Sequence, residues 1–242
     1  VTIRADLHNH SCLSPCGDLE VSPIRLARRA AERGISLIAL TDHNAAGNCP
    51  AFAEACRRVG LMALFGTETT SREEVHILSL FPDVESALDW GRWVYDRLPD
   101  FRHDPEKLGD QVVVDVDENI LAFEERYLIP AIEASIDDIV AETLQRDGLV
   151  IPAHIDRSAH SIYSQLGFLP DLPFSALEIT RRPPPPGAED YTLICDSDAH
   201  FLDDVGRRTF TFSAEISVDS SGQEVFNALA AALQERRTTL SI

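Results

Sequence analysis

Short apolar runs alternate with amphipathic stretches along nearly the whole chain, and this alternation most restricts its fold. Residues 2–8, 36–43, 61–68 and 75–81 read as strands. So do 148–154, 176–180 and 191–200. Helical patterns fall between them at 23–32, near 50–59, at 84–98, at 136–146 and, last, at 222–236. Ser22 stands where an N-cap belongs and Gly34 closes the first helix. Strands separated by helices predict parallel βα units, and about seven of them predict an α/β barrel. An open doubly wound sheet would give the same local pattern, so the motifs must decide. Residues 100–125 break the rhythm: QVVVDVDENILAF alternates apolar and acidic residues and predicts a small inserted β-hairpin. Pro183 to Pro186 reads as a rigid loop, because strand signals lie close on both sides. Residues 1–242 are expected to form a single domain, a length that suits one barrel.

Hydrophobic residues make up 44% of the chain, enough for a sizeable core. No apolar run approaches the ~20 residues that cross a bilayer. The start of the chain shows no signal-peptide pattern, so a cytoplasmic location is expected. Five scattered cysteines (Cys12, Cys16, Cys49, Cys56 and Cys195) fit reduced thiols better than a disulfide framework. Cys12 and Cys16 are expected to be packing thiols, since no second cysteine pair completes a zinc site. The formal net charge of −19 repels nucleic-acid backbone and anionic membranes at long range. It argues against long double-stranded nucleic acid and membrane as partners. A small phosphorylated substrate stays compatible, because bound divalent ions reverse the local potential. Nothing in the sequence defines an oligomeric state.

Six of the eight histidines lie in or just after predicted strands: His8, His10, His43, His76, His154 and His200. A lone histidine is usually a satisfied core or surface residue; six placed alike make six separate bland explanations implausible. In Asp6-Leu7-His8-Asn9-His10 the strand period of two sends both imidazoles to one face, within reach of one ion. Thr41-Asp42-His43, Gly66-Thr67-Glu68 and Asp198-Ala199-His200 also end strands, and His154 ends LVIPAH. Parallel α/β folds carry their active sites at these C-terminal strand ends. Nitrogen and oxygen donors without thiolates suit Mn, Zn, Fe or Co, and the sequence does not choose among them.

In order and spacing, HNH, TDH, GTE, VH, PAH and DAH resemble the polymerase and histidinol phosphatase (PHP) superfamily, especially its stand-alone bacterial phosphoesterases. The resemblance covers nearly the whole chain. It implies a distorted (β/α)7 barrel with a trinuclear site at the strand ends, holding two to three divalent transition-metal ions. On that basis His8, His10, Glu68 and Asp198 would hold one ion. Glu68 would bridge to a second held by His76 and His154, and Asp18, His43 and His200 would hold the third. Glu20 competes with Asp18 for the loop position; Asp18 is preferred because it precedes the helix-opening Ser22-Pro23. Asn44 stands where many relatives carry Asp.

Clustered divalent ions activate water and neutralise a phosphoryl group. The expected reaction is therefore in-line attack of a metal-bridging hydroxide on a phosphomonoester or phosphodiester. Glu68 is central to it, with a metal-bound water or a site histidine, His200 or His43, able to protonate the leaving oxygen. Phosphate oxygens away from the metals call for arginine. Arg157 comes first, followed by Arg181 and Arg207, although Arg157 could equally form a structural ion pair with Asp156 or another acid. Lys107 is the only lysine, so no strand-end lysine offers the bridging carbamate of a carbon–nitrogen hydrolase. That rival, and a non-catalytic regulatory metal module, are the alternatives. The expected substrate is a small phosphorylated metabolite, a nucleotide or a short oligonucleotide.

Overall fold

In a computed structural model, which describes residues 1–242, the apolar runs become a curled sheet and the amphipathic stretches become helices packed on it. The first half runs β1 (Thr2–Asp6), α1 (Pro23–Glu32), β2 (Leu37–Leu40), α2 (Cys49–Val59), β3 (Met62–Thr70), β4 (His76–Phe81) and α3 (Val84–Tyr95). Then come α4 (Pro105–Leu108), β5 (Val112–Val114), β6 (Ile120–Phe123), α5 (Ile136–Gln145), β7 (Leu149–Pro152) and α6 (Ile162–Leu166). The chain closes with β8 (Leu177–Glu178), β9 (Leu193–Ile194), β10 (Thr209–Ser213), α7 (Gly222–Gln234) and β11 (Thr239–Ser241).

Helix starts follow side-chain chemistry. The Ser22 hydroxyl accepts the Arg25 N–H, and Ser135 and Ser221 form capping boxes with Asp138 and Glu224. Gly34, just past α1, takes φ +69°, a conformation glycine adopts without penalty.

The seven-stranded sheet has the order β11-β10-β1-β2-β3-β4-β7. Only β1, β2 and β3 run parallel to one another within it. Strand β4 is antiparallel to both β3 and β7, and β10 is antiparallel to β1. This corrects the expectation of uniformly parallel βα units. Residues 71–75 form a turn in which the Ser71 and Val75 backbones bond, and that span is far too short for a crossover helix. The ring is completed by β8 and β9, a parallel pair of their own. The Ser175 and Ile155 N–H groups donate to Val150 and Glu178 carbonyls, joining β7 to β8. A parallel bridge between Asn9 and Ala199 joins the continuation of β9 to that of β1. The result is a distorted (β/α)7-type barrel.

Strand alternation divides the core. Leu37, Ala39, Leu64 and Leu78 pack with Val225, Phe226 and Leu229 of α7. Their neighbours Ile38, Leu40, Phe65 and Ile77 pack with α1, α2, α3 and α5. The inserted hairpin is shorter than its expected span: β5 and β6 pair over residues 112–123, and residues 105–108 make a helical turn. Its turn is held by the Asp115 carboxylate, which accepts the Asp117 and Asn119 N–H groups. Cys12 does pack, against Val112 and Val114, whereas Cys16 is exposed, and no disulfide forms. No helix is long and apolar enough to cross a membrane.

Candidate metal centre

Where β1 runs on past Asp6, the His8 and His10 rings turn toward each other, with their Nε2 atoms 3.2 Å apart. Their partners set the tautomers. His8 Nδ1 lies 2.9 Å from the Glu178 carboxylate, which can only accept, so in the neutral ring Nδ1 carries the proton and Nε2 a lone pair. His10 Nδ1 lies 3.0 Å from the Ser14 hydroxyl, whose own hydrogen goes to Asp42. Nδ1 is therefore the donor again, and Nε2 again a lone pair. Once both rings are neutral, two lone pairs face each other at 3.2 Å, with Asp198 Oδ1 3.3 Å from both and Glu68 oxygens 3.2 Å away. Acceptors converge this way where a cation belongs.

Glu68, in β3, sits at the centre. Its Oε1 is 2.7 Å from His76 Nδ1, 3.1 Å from His154 Nε2 and 3.2 Å from His8. Its Oε2 is 3.1 Å from His43 Nδ1 and 3.2 Å from His10. The Oε2 of Glu68, Oδ1 of Asp198 and Nδ1 of His43 are buried without a hydrogen-bond partner, despite these short contacts. Such orphaned acceptors are rare in native proteins, and a metal ion would satisfy them. His154 and Asp198 reach the cluster from left-handed backbone, at φ +31° and +49°. Conformations of that kind cost about 1–2 kcal/mol for a non-glycine residue.

Three overlapping donor sets result: His8–His10–Glu68–Asp198, His43–Glu68–His76, and His10–His43–His200. The first has the expected membership. The second draws in His43, with His154 meeting it at Glu68 Oε1; the third has His10 where Asp18 was expected. The Asp18 carboxylate instead accepts the Glu20 N–H at 2.8 Å, while the Asp18 N–H donates to the His200 carbonyl. Glu20 is exposed, 3.9 Å from Arg25. The loop is beside the cluster, but neither carboxylate belongs to a donor set.

Electrostatics bind the group together. Burial alone would raise the Glu68 carboxyl, but the His76, His8 and His43 imidazoles outweigh it and hold it well below the usual range. Asp198 is likewise held well down by His8 and His10 against its burial. Burial would lower His8, yet Glu68, Asp198 and Glu178 push it well above its ordinary value. His10 rises to about 9 because Asp198 and Glu68 overcome its burial. Burial, reinforced by neighbouring imidazoles, drives His43 well down. Burial and His10 bring His200 to about 4. Both are therefore neutral near neutral pH, with lone pairs available to a cation.

A cavity of about 400 Å³ opens beside His76 and His154, and Arg157, Thr180 and Arg181 line it. Arg157 is half-buried and pairs with Asp198, not Asp156. Arg181 is exposed at the rim, donating to the Asp156 carbonyl at 3.0 Å. Arg207 does not line the cavity: it is tied to Asp204 and to the Ser197 carbonyl, both at 3.0 Å.

Sequence reasoning missed four contributors. Glu178 orients His8 and also accepts the His154 N–H. Ser14 and Asp42 perform the same service for His10. A carboxylate inside the apolar run ALEIT was the available signal for Glu178. The fourth, His160, is exposed on the cavity wall with its ring stacked on His76 at 4.6 Å. Asn44, at φ +48°, is structural: its amide donates to the Leu128 and Pro130 carbonyls and its oxygen accepts the Thr70 N–H.

Fold and cluster together define a barrel protein with a multi-donor metal centre at its strand ends. The chain belongs to the PHP domain family, whose profile matches residues 6–146, more than half of its length. A 3',5'-nucleoside bisphosphate phosphatase from Chromobacterium violaceum is 40% identical over 90 residues, which is 36% of this chain and 30% of that protein. A lesion-specific endonuclease from Pyrococcus furiosus superposes with a TM-score of 0.69 at 17% identity, over 96% of this chain and 56% of that one. A Bifidobacterium adolescentis protein described as a metal-dependent phosphoesterase has a TM-score of 0.56 at 20% identity, over 81% of this chain and 87% of its own. The two structures establish likeness of fold. The chain spans little more than half of the endonuclease and aligns with under a third of the phosphatase.

Proposed function

We propose that this chain is a metal-dependent phosphoesterase that hydrolyses a phosphomonoester or phosphodiester of a small phosphorylated metabolite or nucleotide. The observation that carries the reading is Glu68, whose two oxygens lie within 3.2 Å of five imidazoles beside an arginine-lined cavity. His8, His10, His43, His76, His154, His200, Glu68 and Asp198 would hold two to three ions of manganese, zinc or iron, with Glu68 as the bridge. Ions bound there supply Lewis acidity and an activated water near neutral pH.

The protein's own groups do the rest. Glu178 and the Ser14–Asp42 pair hold His8 and His10 with Nε2 lone pairs turned inward. Arg157, poised between Asp198 and the cavity, takes phosphoryl oxygens through its planar fork, and Arg181 offers a second cation at the rim. His43 and His200 serve as ligands. The bisphosphate phosphatase relative supports phosphate-ester chemistry and the nucleotide among the candidate substrates. Manganese-loaded protein should turn over members of a phosphate-ester panel and leave carboxylic-ester and amide panels untouched. Turnover confined to the ester or amide panels would overturn the reading.

A further inference from the structure

Eight of the nine residues lining the cavity beside the metal centre are polar, and most of their polar groups are already engaged. Asp156 accepts the Thr180 and Arg181 N–H groups and the Thr180 hydroxyl. Arg157 is paired with Asp198, and His76 and His154 meet Glu68. His160 differs. Its ring is parallel to that of His76 within 13°, and its Nδ1 lies 3.3 Å from the Glu74 carbonyl. A carbonyl only accepts, so Nδ1 carries the proton and Nε2 is left as an acceptor with no partner in the protein. The residue sits at φ +54°, which a side chain rarely adopts, while its own carbonyl accepts the His76 N–H at 2.9 Å. That backbone bond ties His160 to a candidate ligand strand, and the stack fixes the ring's plane.

We propose that His160 determines specificity: its Nε2 accepts a hydrogen bond from a hydroxyl on the leaving group, so the substrates are phosphate esters of polyols or sugars, the ribose of a nucleotide included. This rests on the phosphoesterase reading and names the kind of ester. Eight of the nine residues lining the cavity are polar, so a hydroxylated leaving group meets hydrogen-bonding groups on most sides. A hydroxyl on that group would donate to Nε2.

Non-hydrolysable phosphonates separate recognition from turnover. The pair is 2,3-dihydroxypropylphosphonate and 2-methylbutylphosphonate, in which methyls replace both hydroxyls. Their binding to manganese-loaded protein is measured by calorimetry. Wild type should prefer the diol by about tenfold, the worth of one or two net hydrogen bonds. His160→Asn keeps a donor for the Glu74 carbonyl and tolerates the left-handed backbone, yet has nothing at the Nε2 position. It should bind both compounds within about twofold of each other. His160→Gln places an amide near the Nε2 position and should restore part of the preference. Equal binding of the two compounds by wild type, or a preference that survives His160→Asn, would overturn the assignment of His160 alone. Failure of wild type to bind either phosphonate would overturn the phosphoesterase reading, and this proposal with it.

Discussion

Around Glu68 one carboxylate serves five imidazoles, and the protons on those rings have consequences for metal loading. His10 is raised to about 9 and His8 well above its ordinary value, so both are protonated near neutral pH when no cation is present. A metal must displace those protons. Affinity should therefore fall as pH drops through the range below about 9, by up to about tenfold per unit for each proton released. His43 and His200, already neutral, add nothing to that slope. Manganese titrations at several pH values between 6 and 9 check this, and a pH-independent affinity would contradict it. Arg157→Ala should lower kcat/KM about ten- to a hundredfold with metal content unchanged, since a charge-assisted bond to phosphate is worth roughly 1.5–3 kcal/mol. Lysine should rescue it only in part. Loss of bound metal in Arg157→Ala would assign the arginine to holding Asp198 in place. The strand-end donors were legible because histidines and carboxylates at the ends of apolar runs have no packing role. Their partition into donor sets was not. Strand alternation tells which face a side chain takes but not how deep it reaches, so the closeness of His43 to Glu68 and His76, and of His10 to His43 and His200, was not readable.

Among the elements, β3 carries the centre, and its pairing with β4 is the least forgiving part of the sheet. A Cβ added at Gly66 would lie 1.8 Å from the Ser79 carbonyl oxygen, a backbone atom that cannot swing away. Gly66→Ala should destabilise the fold by about 3 kcal/mol or more, exceeding ordinary overpacking, and should displace Glu68 two residues on. Thermal unfolding with metal content measured in parallel tests this; an unchanged melting temperature would mean the two strands are less closely apposed. The parallel arrangement of β1 to β3 was legible from the apolar runs separated by helical stretches. The reversal at β4 was not, because SLF-type apolar strands look alike whichever way they run. The turn was the physical clue: Ser71-Arg72-Glu73-Glu74-Val75 leaves no room for a crossover. The hairpin insertion was visible in its alternation, but β6 is exposed along its length and its true ends depended on the Asp115 turn.

For the whole molecule, the net charge of −19 surrounds a buried cluster built to take up cations. An anionic substrate approaches against that field. Its kcat/KM should rise by up to about threefold between roughly 10 and 150 mM salt, as screening shortens the reach of the surface charge. A fall over that range would point to a local basic funnel stronger than Arg157 and Arg181 suggest. The central claim is that Glu68 bridges ions in a multi-metal centre. Elemental analysis of manganese-reconstituted, exhaustively desalted protein, wild type beside Glu68→Gln, tests it most directly. Wild type should retain two to three ions per chain and Glu68→Gln about one or fewer, because all but one donor set shares that carboxylate. Fewer than one ion in wild type, or an undiminished count in Glu68→Gln, would contradict it.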